Sequence, residues 1–119
     1  QIDNKLLMTN LRGMRVLVVD DNPSARNILL SMLRSYSFMA EAASSGLEAL
    51  KKLSRAEKNR VPYDLVIVDW KMPEMDGVEL SRHISRIELS TPPRIIMFSP
   101  YGPEEVMDQV QDVNLDGFL

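Results

Sequence analysis

Short, wholly apolar runs recur along the chain, and each one stops at a polar residue. A run of about four apolar residues without polar alternation is typical of a strand that is buried on both faces of a parallel sheet. The runs and the residues that follow them are Val16–Val19 before Asp20, Leu65–Val68 before Asp69, and Ile95–Phe98 before Ser99. Because ligands gather at the carboxyl ends of parallel strands, these three polar residues are expected at one functional edge of the sheet.

Segments with helical periodicity separate the runs. The predicted helix starts are Asn22 with Pro23, the capping box of Ser45 and Glu48, Asp76 with Glu79, and Pro103. The positions expected to face the core are Ile28, Leu29, Met32, Leu33 and Tyr36, then Leu47, Leu50 and Leu53, then Leu80, Ile84 and Ile87, and last Val106, Val110 and Val113. A weaker strand is predicted at Phe38–Ala43, and a fifth strand begins at Gly117.

Alternating strands and helices favour an α/β fold with right-handed crossovers and a parallel sheet that helices cover on both faces. A chain of 119 residues fits one compact domain. Residues 1–13 are interpreted as a linker and residues 14–119 as the domain. The chain begins at Gln1 rather than Met and stops at Leu119 directly after an apolar pair, so we expect a piece of a longer protein.

The composition indicates which classes of partner and which cellular compartment suit this chain. The formal net charge is -3 and no run of like charges occurs, which disfavours nucleic acid and anionic membrane surfaces as partners. The chain contains no cysteine, which excludes a disulfide framework and a thiolate metal site. No apolar run approaches the roughly 18 residues of a membrane span. We therefore expect a cytoplasmic, soluble domain without membrane contact of its own.

Three carboxylates, those of Asp20, Asp21 and Asp69, are predicted to converge. Partly desolvated like charges repel one another unless a cation is bound, so the pattern predicts a metal site. Oxygen ligands without cysteine or a nearby histidine favour Mg²⁺, or alternatively Mn²⁺, over Zn²⁺. The competing interpretation is helix capping, which fits Asp20 or Asp21 alone. It does not fit Asp69, because Trp70 to Pro73 follow it instead of a helix start.

Four motifs, in this order, resemble the receiver domains of two-component response regulators and hybrid sensor histidine kinases. They are Val18-Val19-Asp20-Asp21-Asn22, the segment DWKMPEMDG from Asp69 to Gly77, Ile95-Ile96-Met97-Phe98-Ser99, and Asp116-Gly117-Phe118-Leu119. The resemblance covers residues 14–119. The residues around the first strand and near the end of the chain are most similar to those of receivers in hybrid kinases. It implies a flavodoxin-like, doubly wound, five-stranded parallel sheet of order 2-1-3-4-5, truncated within or after the fifth strand, with the last helix missing.

The resemblance also implies a role for each matched residue. Asp69 would accept a phosphoryl group from the phosphohistidine of a histidine kinase or phosphotransfer domain, forming an aspartyl-phosphate. The implied ligands of Mg²⁺ are Asp20, Asp21, Asp69 and the backbone carbonyl of Lys71. Ser99 would be the hydroxyl switch that contacts the phosphoryl group. Phe118 would be the aromatic switch residue, for which an ordinary core aromatic is the competing interpretation.

The chain departs from the family pattern at its end and in one loop. It stops before the lysine that pairs with the phosphoryl group in the family, so we expect slow or absent phosphorylation of this chain. It also stops before the last helix, which predicts exposed apolar surface that a homodimer would cover. Pro100 replaces a small residue after the switch serine. Lys71, with its side chain expected in solvent, and Tyr101 occupy positions that, in the family, tune the lifetime of the aspartyl-phosphate.

Two other residue types invite a chemical interpretation. His83 is the only histidine and lies on the third predicted helix without the pattern of a phosphodonor helix, so it is interpreted as a surface residue. The chain contains eight methionines. Of these, Met32, Met97 and Met107 fall in apolar stretches and are interpreted as core residues rather than metal ligands.

These features predict a phosphoacceptor of two-component signalling within a hybrid sensor histidine kinase. The chain itself is expected not to be an enzyme, beyond assisting its own phosphotransfer. The alternative within signalling is a free-standing response regulator whose output domain has been removed. A Mg²⁺-dependent phosphatase with an aspartate nucleophile is more distant, because it needs a second aspartate where Lys71 stands. A flavodoxin-like nucleotide binder would need a phosphate loop in place of Asp21-Asn22-Pro23.

Overall fold

The computed structural model describes residues 13–99 and 115–118, without the side chain of Phe118. Strands and helices alternate along the chain. They are β1 (Arg15–Val19), α1 (Pro23–Ser35), β2 (Met39–Ala43), α2 (Gly46–Lys58), β3 (Leu65–Asp69), α3 (Gly77–Arg86), β4 (Arg94–Phe98) and β5 (Gly117–Phe118). The helix predicted after Pro103, the linker before Gly13, and residues Pro100, Tyr101 and Met107 lie outside the described residues.

The strands form one parallel sheet in the order β2-β1-β3-β4-β5. At its centre Val18 of β1 lies between Ala42 of β2 and Ile67 of β3. The predicted α/β fold and the predicted order 2-1-3-4 are confirmed. Among the residues that the structure describes, Gly117 and Phe118 are those of β5 that pair with β4, so a full fifth strand and the truncation of the chain stay predictions.

Alternate residues of the central strands enter two cores on opposite faces of the sheet. The core on the side of α2 and α3 includes Leu17, Val19, Leu53, Val66, Val68, Leu80 and Ile84. The core on the side of α1 contains Val16, Val18 and Ile67, against which Leu29, Leu30 and Leu33 pack. Burying one such side chain stabilises the fold by about 1.5–3 kcal/mol. Both cores hold β1 and β3 in place and so fix the residues at their carboxyl ends.

Polar side chains cap the helices largely where the sequence predicts. Asn22 Oδ1 accepts the N–H groups of Ser24 and Ala25 at the start of α1. At the start of α2, Ser45 Oγ accepts the Glu48 N–H. The predicted capping box is only half formed, because the Glu48 carboxylate accepts from the hydroxyl of Ser44 instead of from the backbone of Ser45.

Part of the predicted core is wrong. Ile28 is 63% exposed, Met32 50% and Tyr36 47%, because the apolar contact of α1 with the sheet is made by Leu29, Leu30 and Leu33. The predicted apolar face of α1 was therefore too wide, and Met32 is not a core residue. Leu47 is also exposed, since it lies on the outward side of α2.

Of the remaining core assignments, those in the helix after Pro103 lie outside the described residues, and four are partly buried: Leu29, Leu33, Leu50 and Ile87. Leu53, Leu80, Ile84 and Met97 are buried. His83 is exposed, as predicted. In the part of the chain that the structure describes, no helix has the length and apolar character needed to cross a membrane.

Candidate metal centre

Two neighbouring strands bring three aspartates together at the carboxyl edge of the sheet. Val19 of β1 lies opposite Val68 of β3, so Asp20 and Asp69 follow at the same level of the sheet. One carboxylate oxygen from each of Asp20, Asp21 and Asp69 lies within 4.8 Å of the others. The convergence that the sequence predicted for these three carboxylates is thus present in the structure.

Asp20 is the buried member of the cluster, with 2% of its surface exposed. Its Oδ1 accepts the backbone N–H of Asn22 at 2.9 Å. Burial raises the pKa of the Asp20 carboxyl and the charge of Asp21 raises it further, while the Asn22 N–H and the Arg26 guanidinium oppose the shift. The carboxylate is therefore fixed in position but is costly to ionise without a nearby cation.

Arg26 is a residue that the sequence analysis missed. Its Nη1 donates to the backbone carbonyl of Asp20 at 2.8 Å, from one turn inside α1. The bond ties the loop after β1 to the helix that follows it. The only indication in the sequence was a positively charged residue six positions after Asp20.

Asp69 has the most strongly shifted acid group of the site. Burial raises the pKa of its carboxyl to about 6, with further contributions from the charges of Asp20 and Asp21. The Lys71 backbone N–H donates a hydrogen bond to this carboxylate and opposes the shift. The three aspartates thus destabilise one another when all are ionised, which is the electrostatic signature of a pocket for a cation.

The loop from Trp70 to Asp76 is anchored to the sheet. The Trp70 N–H donates to the Phe98 carbonyl at 3.0 Å, and the Trp70 carbonyl accepts the Gly77 N–H at 2.9 Å. Trp70 is buried, whereas the Lys71 side chain is exposed, as predicted, with its Nζ 4.2 Å from the centre of the Trp70 ring. The burial of Trp70 was not predicted from the sequence. The contact of the Lys71 carbonyl with a metal stays a prediction.

Two glycines allow the helices to approach this loop. A Cβ on Gly77 would lie 2.6 Å from the Asp69 carbonyl oxygen and 3.1 Å from Trp70 Cα. A Cβ on Gly46 would lie 2.6 Å from Met75 Sδ. The first residue of α3 therefore packs directly on the backbone that carries Asp69, and the first residue of α2 packs on the loop that follows it.

The two predicted switch residues differ in what the structure describes. Ser99 directly follows Phe98, which lies opposite Asp69, so it stands at the same edge of the sheet and is half-buried. The backbone of Phe118 lies opposite Met97, and its side chain lies outside the described residues. The switch roles of both residues stay predictions.

The donor set of the cluster fits a hard divalent cation. The candidate ligands are carboxylate oxygens, and neither sulfur nor imidazole accompanies them in the cluster. Such a set suits Mg²⁺, which is held by few carboxylates and retains coordination positions for a phosphate oxygen. A carboxylate, a cation site and a half-buried hydroxyl at one open edge can together support attack on an electrophilic phosphorus.

Comparisons with known proteins agree with this arrangement. The family model described as response regulator receiver domain matches residues 16–119. Histidine kinase CKI1 of Arabidopsis thaliana is 38% identical over 122 residues, which cover 92% of this chain and 11% of that protein. Two-component response regulator ARR11 of the same plant is 41% identical over 108 residues, which cover 90% of this chain and 20% of that protein. The chain thus spans only a small part of either relative.

A solved structure has the same fold. The receiver domain of CKI1 from Arabidopsis thaliana complexed with Mg²⁺ superposes with a TM-score of 0.84 at 34% sequence identity. The match covers 92% of this chain and 83% of that one. The similarity thus extends over almost the whole sheet and the helices around it.

Proposed function

Because the chain belongs to the response regulator receiver domain family, we propose that Asp69 accepts a phosphoryl group from a phosphohistidine with the aid of Mg²⁺. The observation that supports this most directly is the convergence of Asp20, Asp21 and Asp69 within 4.8 Å at the ends of neighbouring strands. The proposed ligands of the ion are these three carboxylates and the backbone carbonyl of Lys71. Mn²⁺ would serve as a substitute with the same oxygen ligands.

The proposed reaction is an in-line displacement at phosphorus. A carboxylate oxygen of Asp69 forms the new P–O bond while the P–N bond to the histidine breaks, and the ring nitrogen keeps the electron pair. With its pKa raised to about 6, the Asp69 carboxyl is ionised at neutral pH and available as nucleophile. The Lys71 N–H orients this carboxylate. When bound, Mg²⁺ neutralises charge on the nucleophile and the phosphoryl oxygens.

The response to phosphorylation is proposed to pass through Ser99 and Phe118. Ser99 stands one residue beyond the partner of Asp69 on the adjacent strand, within reach of a loop movement towards a phosphoryl group. Phe118 lies on the next segment of the sheet. A full fifth strand that continues beyond Phe118 belongs to this proposal.

The biological setting is also part of the proposal. We place the domain in a cytoplasmic part of a hybrid sensor histidine kinase, with a free-standing response regulator as the alternative. Its donor would be a histidine kinase or a phosphotransfer domain. The domain would act as a phosphoacceptor rather than as an enzyme. A homodimer through the exposed apolar stripe of Ile28, Met32 and Tyr36 would explain why these side chains lie open on α1.

Phosphoryl transfer from acetyl phosphate tests the proposal. The sample is the purified protein that carries this domain. With Mg²⁺, intact-mass spectrometry is expected to show one added phosphoryl group, and Asp69→Asn is expected to abolish it.

Asp116→Asn is the matched control. Asp116 is exposed and accepts the Ile95 N–H through its side chain, a bond that asparagine can also accept. This variant should be labelled like the parent protein. Persistent labelling of Asp69→Asn, or labelling that is unchanged after chelation of Mg²⁺, would contradict the proposed roles.

A further inference from the structure

The outward side of α2 carries one apolar residue followed by three cations. Leu47, Lys51, Arg55 and Lys58 recur at spacings of three or four residues, which places them along one side of the helix. All four are exposed, and Leu47 is 59% exposed. These four residues are defined here as the α2 ridge. Its cationic part, from Lys51 to Lys58, is about 10 Å long, or two helical turns.

The cations of the α2 ridge have no acidic partner among the described residues, because the acids of the same helix are engaged elsewhere. Glu48 accepts the Ser44 hydroxyl at 2.9 Å and lies 3.7 Å from Lys52 Nζ. Glu57 accepts the Ser90 N–H at 2.9 Å on the other side of the helix. The ridge is therefore a local positive surface on a chain whose formal net charge is -3.

A shallow depression of ≈ 550 Å³ runs along the ridge, lined by Leu50, Lys51, Ser54, Arg55 and Lys58. It combines an apolar side chain with a cationic rim. The exposed Leu47 extends the apolar contact by one turn towards the start of the helix. This combination fits a partner surface in which carboxylates alternate with aliphatic residues.

We propose that the α2 ridge is a docking site for an acidic amphipathic helix of a partner protein. Carboxylates three and four residues apart on such a helix match the spacing of the three cations, and one leucine-type side chain can rest on Leu47 and Leu50. A nucleic acid fits less well, because the ridge is only about two turns long and has no aromatic side chain on which bases could stack. The acidic net charge of the whole chain also repels an extended polyanion.

The position of the ridge adds a consequence for the partner. Gly46, the residue before Leu47, packs on Met75 of the loop that carries Lys71. A helix docked along the ridge therefore has one end near this loop. No ridge residue belongs to the cluster of Asp20, Asp21 and Asp69, so this site and the proposed phosphoacceptor site can be tested separately.

Binding of a designed peptide to the isotope-labelled 119-residue chain tests the proposal. The probe is a synthetic helix with three glutamates at the spacing of the ridge cations and a leucine one turn away; a lysine-for-glutamate version is its control. NMR shift changes are expected in residues 47–58. Affinity is expected to fall at least about tenfold when salt is raised from about 0.05 to 0.5 M, because screening lengths shorten over this range.

Lys51→Glu is the variant of choice, with Arg86→Glu as its matched control. A glutamate at position 51 stands four residues before Arg55, so the two can pair and helix α2 is retained. Lys51→Glu is expected to weaken peptide binding by at least about tenfold, since it reverses one contact charge. Arg86 is an exposed cation on α3, and its reversal should leave the affinity within about twofold, because it lies off the ridge.

Four outcomes would overturn the proposal. They are absence of peptide binding, NMR shift changes outside α2, an equal loss of affinity in both variants, and unchanged affinity in Lys51→Glu. Preferential binding of duplex DNA or of phosphatidylserine vesicles at the same residues would assign the ridge to another class of partner and would overturn it as well. Circular dichroism of each variant checks that the helix content of the fold is retained.

Discussion

At the scale of single residues, the burial of Asp20 and Asp69 beside Asp21 governs the metal-free protein. Their carboxyl pKa values are raised, because ionisation in this pocket costs desolvation and mutual repulsion. The folded chain consequently binds protons at the site more tightly than the unfolded chain does. In this state the cluster opposes folding at neutral pH, which is the reverse of a carboxylate held in a salt bridge.

Asp69→Asn is expected to stabilise the metal-free protein at neutral pH. The pKa of Asp69 is about 6 in the folded protein against 3.8 as its ordinary value, so its contribution to stability is fully present below about pH 4 and is lost as pH rises through about 6. Asparagine does not ionise, so the variant keeps this stability at neutral pH. The expected gain in unfolding free energy near pH 7 is about 1–2 kcal/mol, since one pKa unit corresponds to about 1.4 kcal/mol and the pocket is partly open to solvent.

Urea denaturation in the presence of a chelator, at about pH 4.5 and pH 7.5, measures this difference. The variant should lose part of the pH dependence that the parent protein shows. Equal stability of the two proteins at both pH values would mean that Asp69 is not destabilised by its surroundings. Asp116→Asn, at an exposed aspartate, is the control.

At the scale of the elements, the start of α3 is built against the strand end that carries Asp69. Gly77 has no side chain, and the atoms that a Cβ would meet belong to the backbone of Asp69 and Trp70. Backbone atoms in a sheet cannot withdraw as the end of a side chain can. The distance between α3 and β3 therefore determines the position of Asp69.

Gly77→Ala is expected to destabilise the protein by about 1–3 kcal/mol through overpacking and to weaken Mg²⁺ binding. Gly46→Ala is the matched control, because both glycines are the first residue of a helix and gain the same helix propensity as alanine. At Gly46 the clashing group is the flexible Met75 side chain, with Sδ at 2.6 Å, so a smaller loss is expected. Thermal unfolding and Mg²⁺ titration compare the two variants; equal effects would contradict the explanation.

Asn22, which caps α1, is expected to stabilise the fold without contributing to the metal site. Asn22→Ala removes the side-chain acceptor for the Ser24 and Ala25 N–H groups and should cost about 1 kcal/mol of unfolding free energy. Mg²⁺ affinity should change little, because the contact of residue 22 with Asp20 is made by its backbone N–H. Asn22→Ser retains a capping oxygen and should restore most of the stability. A large loss of Mg²⁺ affinity in either variant would show that the cap also positions the site.

At the scale of the whole molecule, metal binding and stability are expected to be coupled. A ligand that binds only the folded state stabilises it by about 2.7 kcal/mol at a concentration of about 100 Kd. Mg²⁺ should therefore raise the midpoint of thermal unfolding of this chain. Because binding requires ionised Asp69, with its pKa of about 6, the affinity should fall at least about tenfold between pH 7.5 and pH 5.

Isothermal titration at several pH values measures the change in affinity. Asp21→Asn should weaken binding at every pH, because Asp21 is an exposed member of the cluster. A pH-independent affinity, or Mg²⁺ stabilisation that survives Asp69→Asn together with Asp21→Asn, would contradict the proposed site.

The sequence predicted those features that follow from burial on both faces of a sheet. Apolar runs such as Val16–Val19 mark central strands, and the rule for parallel strand ends then places Asp20 and Asp69 side by side. How much of the apolar face of α1 the sheet covers could not be predicted. Helical periodicity shows which side of a helix is apolar but not how much of that side its neighbour buries. The bond from Arg26 to the Asp20 carbonyl likewise depends on how a side chain folds back over a loop.

Trp70 is the only tryptophan of the chain, and it is the residue next to the proposed phosphoacceptor. Its indole is 3% exposed, lies under the Lys71 ammonium at 4.2 Å, and is bonded through its backbone to β4. Any event at Asp69 that moves the lysine or admits water changes the surroundings of this single fluorophore. The protein therefore carries an optical reporter of its own acidic pocket, and the proposed metal binding and phosphoryl transfer are expected to change its emission intensity without an added label.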